Sequence, residues 1–500
     1  MRPERPFMAF GSISIDGKSL VIPSNSLRAD RIVVMTRFPE PGRTKTRLIP
    51  ALGADRAAAL HRCLIVRTLD VVGHWAEAHR CDVEVRYAGG DESQFRAQFG
   101  LEARYSPQSE GALGERMNSA VAVAFSEGAK RVVVIGTDCP GLDASHLTQA
   151  FEQLTHRDVA IGPATDGGYY LLGMRRPLPT LFENIVWGTE TVLRQTLERA
   201  AETGVTVGQL PLLSDVDYAE DLIQCRRIED QFRDVLPRMM AGRISIIIPT
   251  LNEAAGITAT LEHIRNLSNV EVIVADGGSH DQTVELAQAT GATVVRCNRG
   301  RGKQMNAGAA LASGEVLLFL HADTKLPDDF ADHVWRNLGT GAITVVADAA
   351  SIGSDAGSIR HEGTLIGAPV PGKRNAGGAF KLHIGASGWM LRLIEFGANL
   401  RSRWLQLPYG DQAIFVKAAD FFRLNGFQNW PLMEDYDFCR RLRKTGRIAV
   451  APASVTTSAR RWQRLGVLRT TLTNLACVVA FRLGVSPVTL ARWYRRKADG

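Results

Sequence analysis

Short runs of β-branched and apolar residues recur along this chain, each bounded by turn residues, with helical stretches between them. Arg31-Ile-Val-Val-Met opens the first series, and Val132–Ile135 and Val159–Ile161 continue it. Arg243-Ile-Ser-Ile-Ile-Ile-Pro opens a second, continued by Val270–Ala275, Thr293–Val295 and Val316–Leu320. Runs this short and this apolar are buried parallel strands. The stretches Gly53–Asp70 and Gln282–Ala289 carry helical patterns between them, and strand alternating with helix predicts α/β sheets. Such sheets bind ligands at the carboxyl ends of their strands, so the residues just past each run matter most.

Two strand-first modules suit a chain of 500 residues, since one core rarely organises more than about 250. The expected division is a flexible tail over 1–29, a domain over 30–236, a linker over 237–242 and a second domain over 243–500. A Gly/Ala/Ser-rich segment at about 339–378 reads as an insertion, the kind of loop that serves as an active-site flap or is disordered. The 7 cysteines form no CxxC pair and are odd in number, which argues against a disulfide framework or a structural zinc site and fits a reducing cytoplasm. No secretory pattern opens the chain, and no window reaches the ~18 apolar residues of a spanning helix. The run Leu475–Leu490 is broken by Arg482 and Pro487.

Charge is unevenly placed. From Arg440 onward there are 14 Lys/Arg and a single acid, Asp499. A basic end of this kind suits a diphosphate, an anionic membrane surface at the inner face, or simply a solvated face. Nucleic acid is not expected, because aromatic platforms beyond Trp462, Trp493 and Tyr494 are missing.

In the second module, Asp276 follows a strand in Ala-Asp-Gly-Gly-Ser, where it suits either a nucleotide pocket or a simple Asp-Gly turn. Asp323 follows another strand in His-Ala-Asp-Thr and suits either a metal bridging a diphosphate or a helix N-cap. Glu434-Asp435 opens a helix, as a general base or as dipole partners. Arg460-Arg461-Trp462 sets cations beside an aromatic. In the first module, Arg43, Lys45 and Arg47 alternate on a turn containing Gly42, a pattern for a phosphate chain. Asp138 and Asp166-Gly167-Gly168 follow strands and Asp217 lies further on; these carboxylates suit a divalent-metal site or only turns and caps.

The order and spacing of Ile-Pro-Thr-Leu-Asn-Glu (248–253), Asp-Gly-Gly-Ser (276–279), His-Ala-Asp-Thr (321–324), Gly-Asp-Gln-Ala (410–413), Met-Glu-Asp (433–435) and Arg-Arg-Trp (460–462) resemble the family-2 glycosyltransferases of GT-A type. The likeness covers nearly all of 243–500. It is strongest to the bacterial branch called arsenosugar-biosynthesis-associated, and a carotenoid-acid glycosyltransferase branch is also similar. Residues 31–225 resemble a bacterial glycosyltransferase-like family related to 2-phospholactate guanylyltransferase and molybdenum-cofactor guanylyltransferases. The resemblance implies two tandem GT-A-like, Rossmann-related domains with mainly parallel sheets.

It further implies an inverting, metal-dependent transfer of a sugar from a nucleotide-sugar donor to a small-molecule or lipid acceptor. Asp435 would be the base, with Glu434 supporting it. Pro249, Asn252, Glu253, Asp276, Arg461 and Trp462 would hold the donor. Gly410, Asp411 and Gln412 would border the acceptor, and Asp323 would bind a divalent metal, Mg or Mn. In the first domain Arg43, Lys45 and Arg47 would grip phosphates, Asp138 and Asp217 would hold metal, and Asp166, Gly167 and Gly168 would shape a substrate pocket. That domain would make an activated intermediate by nucleotidyl transfer. The second domain departs from its family in having His-Ala-Asp where Asp-x-Asp is usual, leaving one carboxylate for the metal. The rival class is a nucleotide-sugar-binding scaffold or sensor with an inactive N-terminal domain.

Overall fold

A computed structural model of the chain describes residues 28–264, 267, 269–339 and 375–498. It falls into two compact units, Met1–Asp217 and Tyr218–Gly500. The first is built on seven strands: β1 (Asp30–Arg37), β2 (Asp82–Ala88), β3 (Arg104–Pro107), β4 (Arg131–Ile135), β5 (Val159–Pro163), β6 (Tyr169–Met174) and β7 (Val207–Gln209). Their order in the sheet is β3-β2-β1-β4-β6-β5-β7. All neighbours are parallel except β6, which runs against both β4 and β5. Because helices cover both faces, the central strands are apolar on both sides rather than alternating. Ile32 and Val34 of β1 pack with Ile65, Leu69 and Val72 of the long helix Ala54–His79. Val33 points the other way, into a cluster with Met117 and Val121 of the helix Leu113–Ser126.

The second unit has β8 (Met240–Thr250), β9 (Val270–Asp276), β10 (Thr293–Arg296), β11 (Gly314–Phe319), β12 (Thr324–Lys325), β13 (Asn375–Ile384), β14 (Phe415–Lys417) and β15 (Arg447–Thr457). Their order is β10-β9-β8-β11-β14-β13-β15-β12. Leaving aside the two-residue β12, this repeats the first sheet strand for strand. Four parallel strands come first, then β14 runs antiparallel to β11 and β13, and β15 runs parallel to β13. Both sheets are the mixed, mainly parallel α/β kind that the sequence pattern implies. Ile244, Ile246 and Ile248 pack against Ile257, Leu261 and Ile264 of the helix Ala254–Ile264. The register sets Thr250 level with Asp276, so β8 and β9 end together.

Three expected boundaries shift. Residues 218–236 belong with the second unit, because Arg226 is buried there and tied to it. Its guanidinium donates from Nε to the Ala310 carbonyl (2.9 Å), and from its two terminal nitrogens to the Ala312 (2.6 Å) and Pro237 (2.8 Å) carbonyls. Residues 240–242, placed in the linker, already form the start of β8. Arg28 and Ala29, placed in the tail, are held to the first sheet: the Arg28 amide donates to Asp82, and the Ala29 carbonyl accepts from Lys130 and Arg131. Residues 1–27 lie outside the described residues, as does 340–374 of the expected insertion. The end of that segment is a strand rather than a flap. Gly377 and Gly378 lie inside β13, where any side chain on Gly378 would run into the Phe415 ring.

Replacing Arg226 by Ala strips two buried carbonyls and one half-buried carbonyl of a charged donor. Chemical denaturation of the second unit should register a loss of roughly 2–4 kcal/mol. An unchanged midpoint would mean that 218–236 is not part of that fold.

Candidate functional site

In the second unit the carboxyl ends of β8 and β11 open onto a cavity of about 740 Å³. Past β8, Pro249, Thr250, Leu251 and Glu253 line it; past β11, His321, Ala322 and Asp323 do. The loop after β8 is stapled to the loop after β9. The Asn252 amide donates to Ser279 Oγ (2.9 Å), the Asn252 Oδ1 accepts from the His280 amide (2.9 Å), and the Glu253 amide donates to Thr283 Oγ1 (2.8 Å). Gln304 ties both strand ends together, donating to the Thr250 (2.6 Å) and Ala275 (3.0 Å) carbonyls.

Glu434 and Asp435 sit in the first turn of the helix Glu434–Arg443, and both line the cavity. One Asp435 oxygen accepts the Gly410 amide (2.7 Å) and the other the Tyr436 amide (2.7 Å). A Cβ on Gly410 would be tight, 3.0 Å from His321 Nε2 and 3.4 Å from Asp435 Oδ2. Glu434 is buried, 3% exposed. Burial, and secondarily the Asp435 charge, hold its carboxyl well above the usual range, with Arg301 at 3.7 Å pulling the other way. Across the strand ends, Arg460 reaches Glu253 (3.4 Å) and Asp323 (3.2 Å) at once. Burial lifts the Glu253 carboxyl, and Arg460 partly offsets that.

The residues named from sequence divide. Pro249, Glu253, Asp323, Gly410, Asp411, Glu434, Asp435 and Trp462 come together on the cavity wall. Asp276 is buried and its carboxylate is taken by its own turn, accepting from the Gly278 and Ser279 amides (3.0 Å each) and from Ser279 Oγ (2.5 Å). Gln412 is fully buried and braces the fold, accepting from Ser402 Oγ (2.6 Å) and donating to the Phe380 carbonyl (3.0 Å). Asn252 shapes the loop, and neither it, Asp276 nor Gln412 lines the cavity. The Arg461 side chain lies outside the described residues; Arg460 is the arginine that meets the acids. Asp323 is not a helix cap, since the next helix, Phe330–Leu338, has its N-cap position at Asp329.

Arg299, Arg301, Lys303 and Gln304 also line the cavity and were missed. Their signal is in the sequence: Arg299-Gly-Arg-Gly-Lys303 alternates cations on glycines just as Arg43-Thr-Lys-Thr-Arg47 alternates them on threonines. They open the helix Arg301–Ala310, whose start adds a positive partial charge.

In the first unit, Asp138 follows β4 and is brought together with Asp217 by Lys45. The Lys45 ammonium stands 2.7 Å from Asp138 and 3.1 Å from Asp217, and Arg47 meets Asp217 at 2.8 Å. Burial works against the Lys45 charge, but the two carboxylates outweigh it and raise the ammonium above its ordinary value. For Asp138, burial is likewise overcome by Lys45, and its carboxyl is held low. Burial lowers the neighbouring His61, whose Nε2 lies 3.0 Å from the Arg37 carbonyl. Arg43 turns away, exposed and paired with Glu40 at 3.1 Å. Asp166 accepts the Gly168 amide (2.8 Å) in the turn between β5 and β6, and Gly167 at φ +88° leaves no space for a side chain beside the Glu190 backbone. Among the described residues, no group of three or more His, Cys, Asp or Glu is arranged to hold a metal.

Both units are thus α/β sheets with carboxylates and alternating cations gathered at the strand ends. Residues 245–393 match the family described as "Glycosyl transferase family 2", and residues 68–189 match DUF2064, described as an uncharacterised protein conserved in bacteria. The second unit thus carries a family-2 glycosyltransferase match and the first a DUF2064 match. A PGL/p-HBAD biosynthesis glycosyltransferase of Mycobacterium tuberculosis H37Rv is 38% identical over 97 residues, 18% of this chain and 38% of that protein. This chain therefore spans well under half of that curated relative's length. A solved Desulfovibrio desulfuricans G20 protein, provisionally named a nucleotide-diphospho-sugar transferase, is 32% identical, covering 42% of this chain and 99% of its own, with a TM-score of 0.37. Glucosyl-3-phosphoglycerate synthase from Mycobacterium tuberculosis, solved with Mn²⁺, UDP and its product, is 20% identical over 47% of this chain and 78% of its own, with a TM-score of 0.30.

Lys45→Met should let burial, no longer opposed by the ammonium, raise the Asp138 carboxyl. A depressed folded pKa contributes stability that is complete above the unfolded value and is lost as pH falls through the folded one. The variant should therefore be less stable than the wild type at neutral pH, with the gap narrowing as the pH falls into the acid range and Asp138 is protonated. Melting curves from pH 7 downward test this; a gap independent of pH would remove the ion pair as its cause.

Proposed function

We propose that the second unit moves a sugar from a nucleotide-diphosphate donor to an acceptor hydroxyl with inversion. The observation that carries this reading is a single cavity that holds Glu434 and Asp435 together with Arg299, Arg301, Lys303 and Asp323. Asp435 is the base: two amide donors fix its carboxylate, and it takes the acceptor proton as the hydroxyl oxygen bonds to the anomeric carbon. The bond from that carbon to the diphosphate breaks on the opposite face, and its electrons leave on the diphosphate oxygen. Arg299, Arg301, Lys303 and the start of their helix stabilise that charge where it develops. Glu434, raised by burial to about 7, carries less negative charge beside the base than an ordinary carboxylate would.

Asp323 fits a divalent metal, Mg²⁺ or Mn²⁺, as a single carboxylate at the cavity, with the remaining ligands coming from donor phosphates and water. Bound there, the ion would supply Lewis-acid neutralisation of the departing diphosphate. Its arrival would compete with Arg460 for the same carboxylate. The acceptor is a small molecule or a lipid. We read the first unit as phosphate-handling, with nucleotidyl transfer as its activity; Lys45, held between two carboxylates, favours this over an inert scaffold.

Asp435→Asn should lower kcat by about 10²–10⁴-fold while uridine or guanosine diphosphate still binds with near wild-type affinity in calorimetry. Turnover close to wild type with any acceptor sinks the assignment. Asp323→Ala should abolish the gain in diphosphate affinity that Mn²⁺ brings; an undiminished gain would mean that the metal binds elsewhere.

A further inference from the structure

Two helices of the second unit leave an apolar face uncovered. In the helix Trp389–Leu405, Leu391, Glu395, Ala398 and Ser402 are buried, while Trp389, Leu393, Phe396, Leu400 and Trp404 are exposed, both tryptophans at 76%. In the helix Val467–Arg482, Thr470 and Cys477 are buried, while Leu468, Leu472, Leu475 and Val479 are exposed, continued by Leu483 at 79%. The two outer stripes have the same spacing of four, three, four and four residues, which is one side of a helix. Both helices pack on one small core, through Leu391, Ile394 and Ala398 from the first and Val467 from the second. Soluble monomers rarely expose a contiguous apolar patch of more than a few hundred Å².

Charge identifies what covers this face. A second cavity of about 450 Å³ adjoins the first stripe and shares Phe396, Leu400 and Trp404 with it. Its charged lining residues are Lys381, Arg403 and Arg447, and no carboxylate lines it. Among the described residues no ion pair is formed by these three. A two-fold contact with another copy of the chain would set this groove near its own twin, cation against cation. Tryptophans at both ends of an apolar stripe, with arginines beside it, match the interface of a bilayer.

We propose that this face docks on an anionic membrane, with the Lys381–Arg403–Arg447 groove taking a phosphate-bearing lipid headgroup. No described helix is long and apolar enough to cross a membrane, so the contact lies in the surface plane. The helix Val467–Arg482 also gives Asn474, Cys477 and Val478 to the wall of the large cavity. Its outer side meets the lipid while its inner side meets the site. On the transfer reading above, a lipid acceptor then reaches the site from the bilayer.

The test is co-sedimentation of the full chain with phosphatidylcholine vesicles and with vesicles that also contain phosphatidylglycerol. The protein should pellet with the anionic vesicles and be released by high salt. Lys381→Gln, Arg403→Gln and Arg447→Gln together should weaken partitioning by about a hundredfold. Leu393→Glu with Phe396→Glu, and separately Leu472→Glu with Leu475→Glu, should each weaken it by roughly tenfold or more. Unchanged melting temperatures and unchanged binding of uridine diphosphate in these variants would show that the fold and the donor site are intact. That separates failure of docking from failure of the transfer reading. Wild-type protein left in the supernatant, variants that pellet like wild type, or equal pelleting on phosphatidylcholine alone would overturn the proposal. So would a solution dimer that Phe396→Glu dissociates.

Discussion

Two carboxyl groups on adjacent residues, one of them buried, cannot both carry charge cheaply. Glu434 and Asp435 pose that problem at the cavity, and much of the surrounding structure answers it. The start of their helix offers a favourable dipole. The Gly410 amide takes one Asp435 oxygen, and Arg301 approaches Glu434. Each answer needs the backbone to come unusually close. A side chain on Gly410 would crowd His321, and one on Gly302 would meet Glu434 Cβ at 3.5 Å and the Gln428 carbonyl nearer still. Burial then does chemical work. It raises the Glu434 carboxyl and so weakens the negative charge that stands beside Asp435.

The strands were readable because β-branched runs such as Ile244–Ile248 are buried on both faces and have no other use. Helix extents were less readable, because local pattern does not show how far packing extends: the expected Gly53–Asp70 helix runs on to His79, its last turns stabilised by Val72, Trp75 and Ala76 in the core. The unit boundary was not readable, since Arg226 acts through carbonyls 84 and 86 residues away. For the site, the strand-end acids were legible and their partners were not. Asp276 and Gln412 sit in the right motifs, but hydrogen bonds within the fold consume their polar atoms. Lys303 and Arg301 carry a pattern already noticed at Lys45 and Arg47, yet a pattern becomes a site only when the strands place it beside carboxylates. Arg460 and Arg461 are adjacent in sequence, and only three-dimensional placement shows Arg460 meeting Glu253 and Asp323.

The two sheets share their strand order and their acid-bearing ends, yet settle charge differently. In the first unit the opposing charges are already joined: Lys45 lies between Asp138 and Asp217, and Arg47 adds a second cation to Asp217. In the second unit, Arg299, Arg301 and Lys303 line an open cavity whose acids are met mainly by Arg460. This difference sets what each unit can accept. A diphosphate entering the second unit meets cations whose own pairs are longer, Arg301 with Glu434 at 3.7 Å and Lys303 with Glu220 at 3.9 Å. A metal ion on Asp138 and Asp217 must instead displace the Lys45 ammonium from the very oxygens it would use. An ammonium so displaced remains nearly buried and keeps its charge only with a new anion in reach, such as a phosphate delivered with the metal. If the first unit takes a metal and a phosphate, their binding would therefore be linked: the metal alone would leave the ammonium unpaired, and the two together would restore the balance that Lys45 now provides.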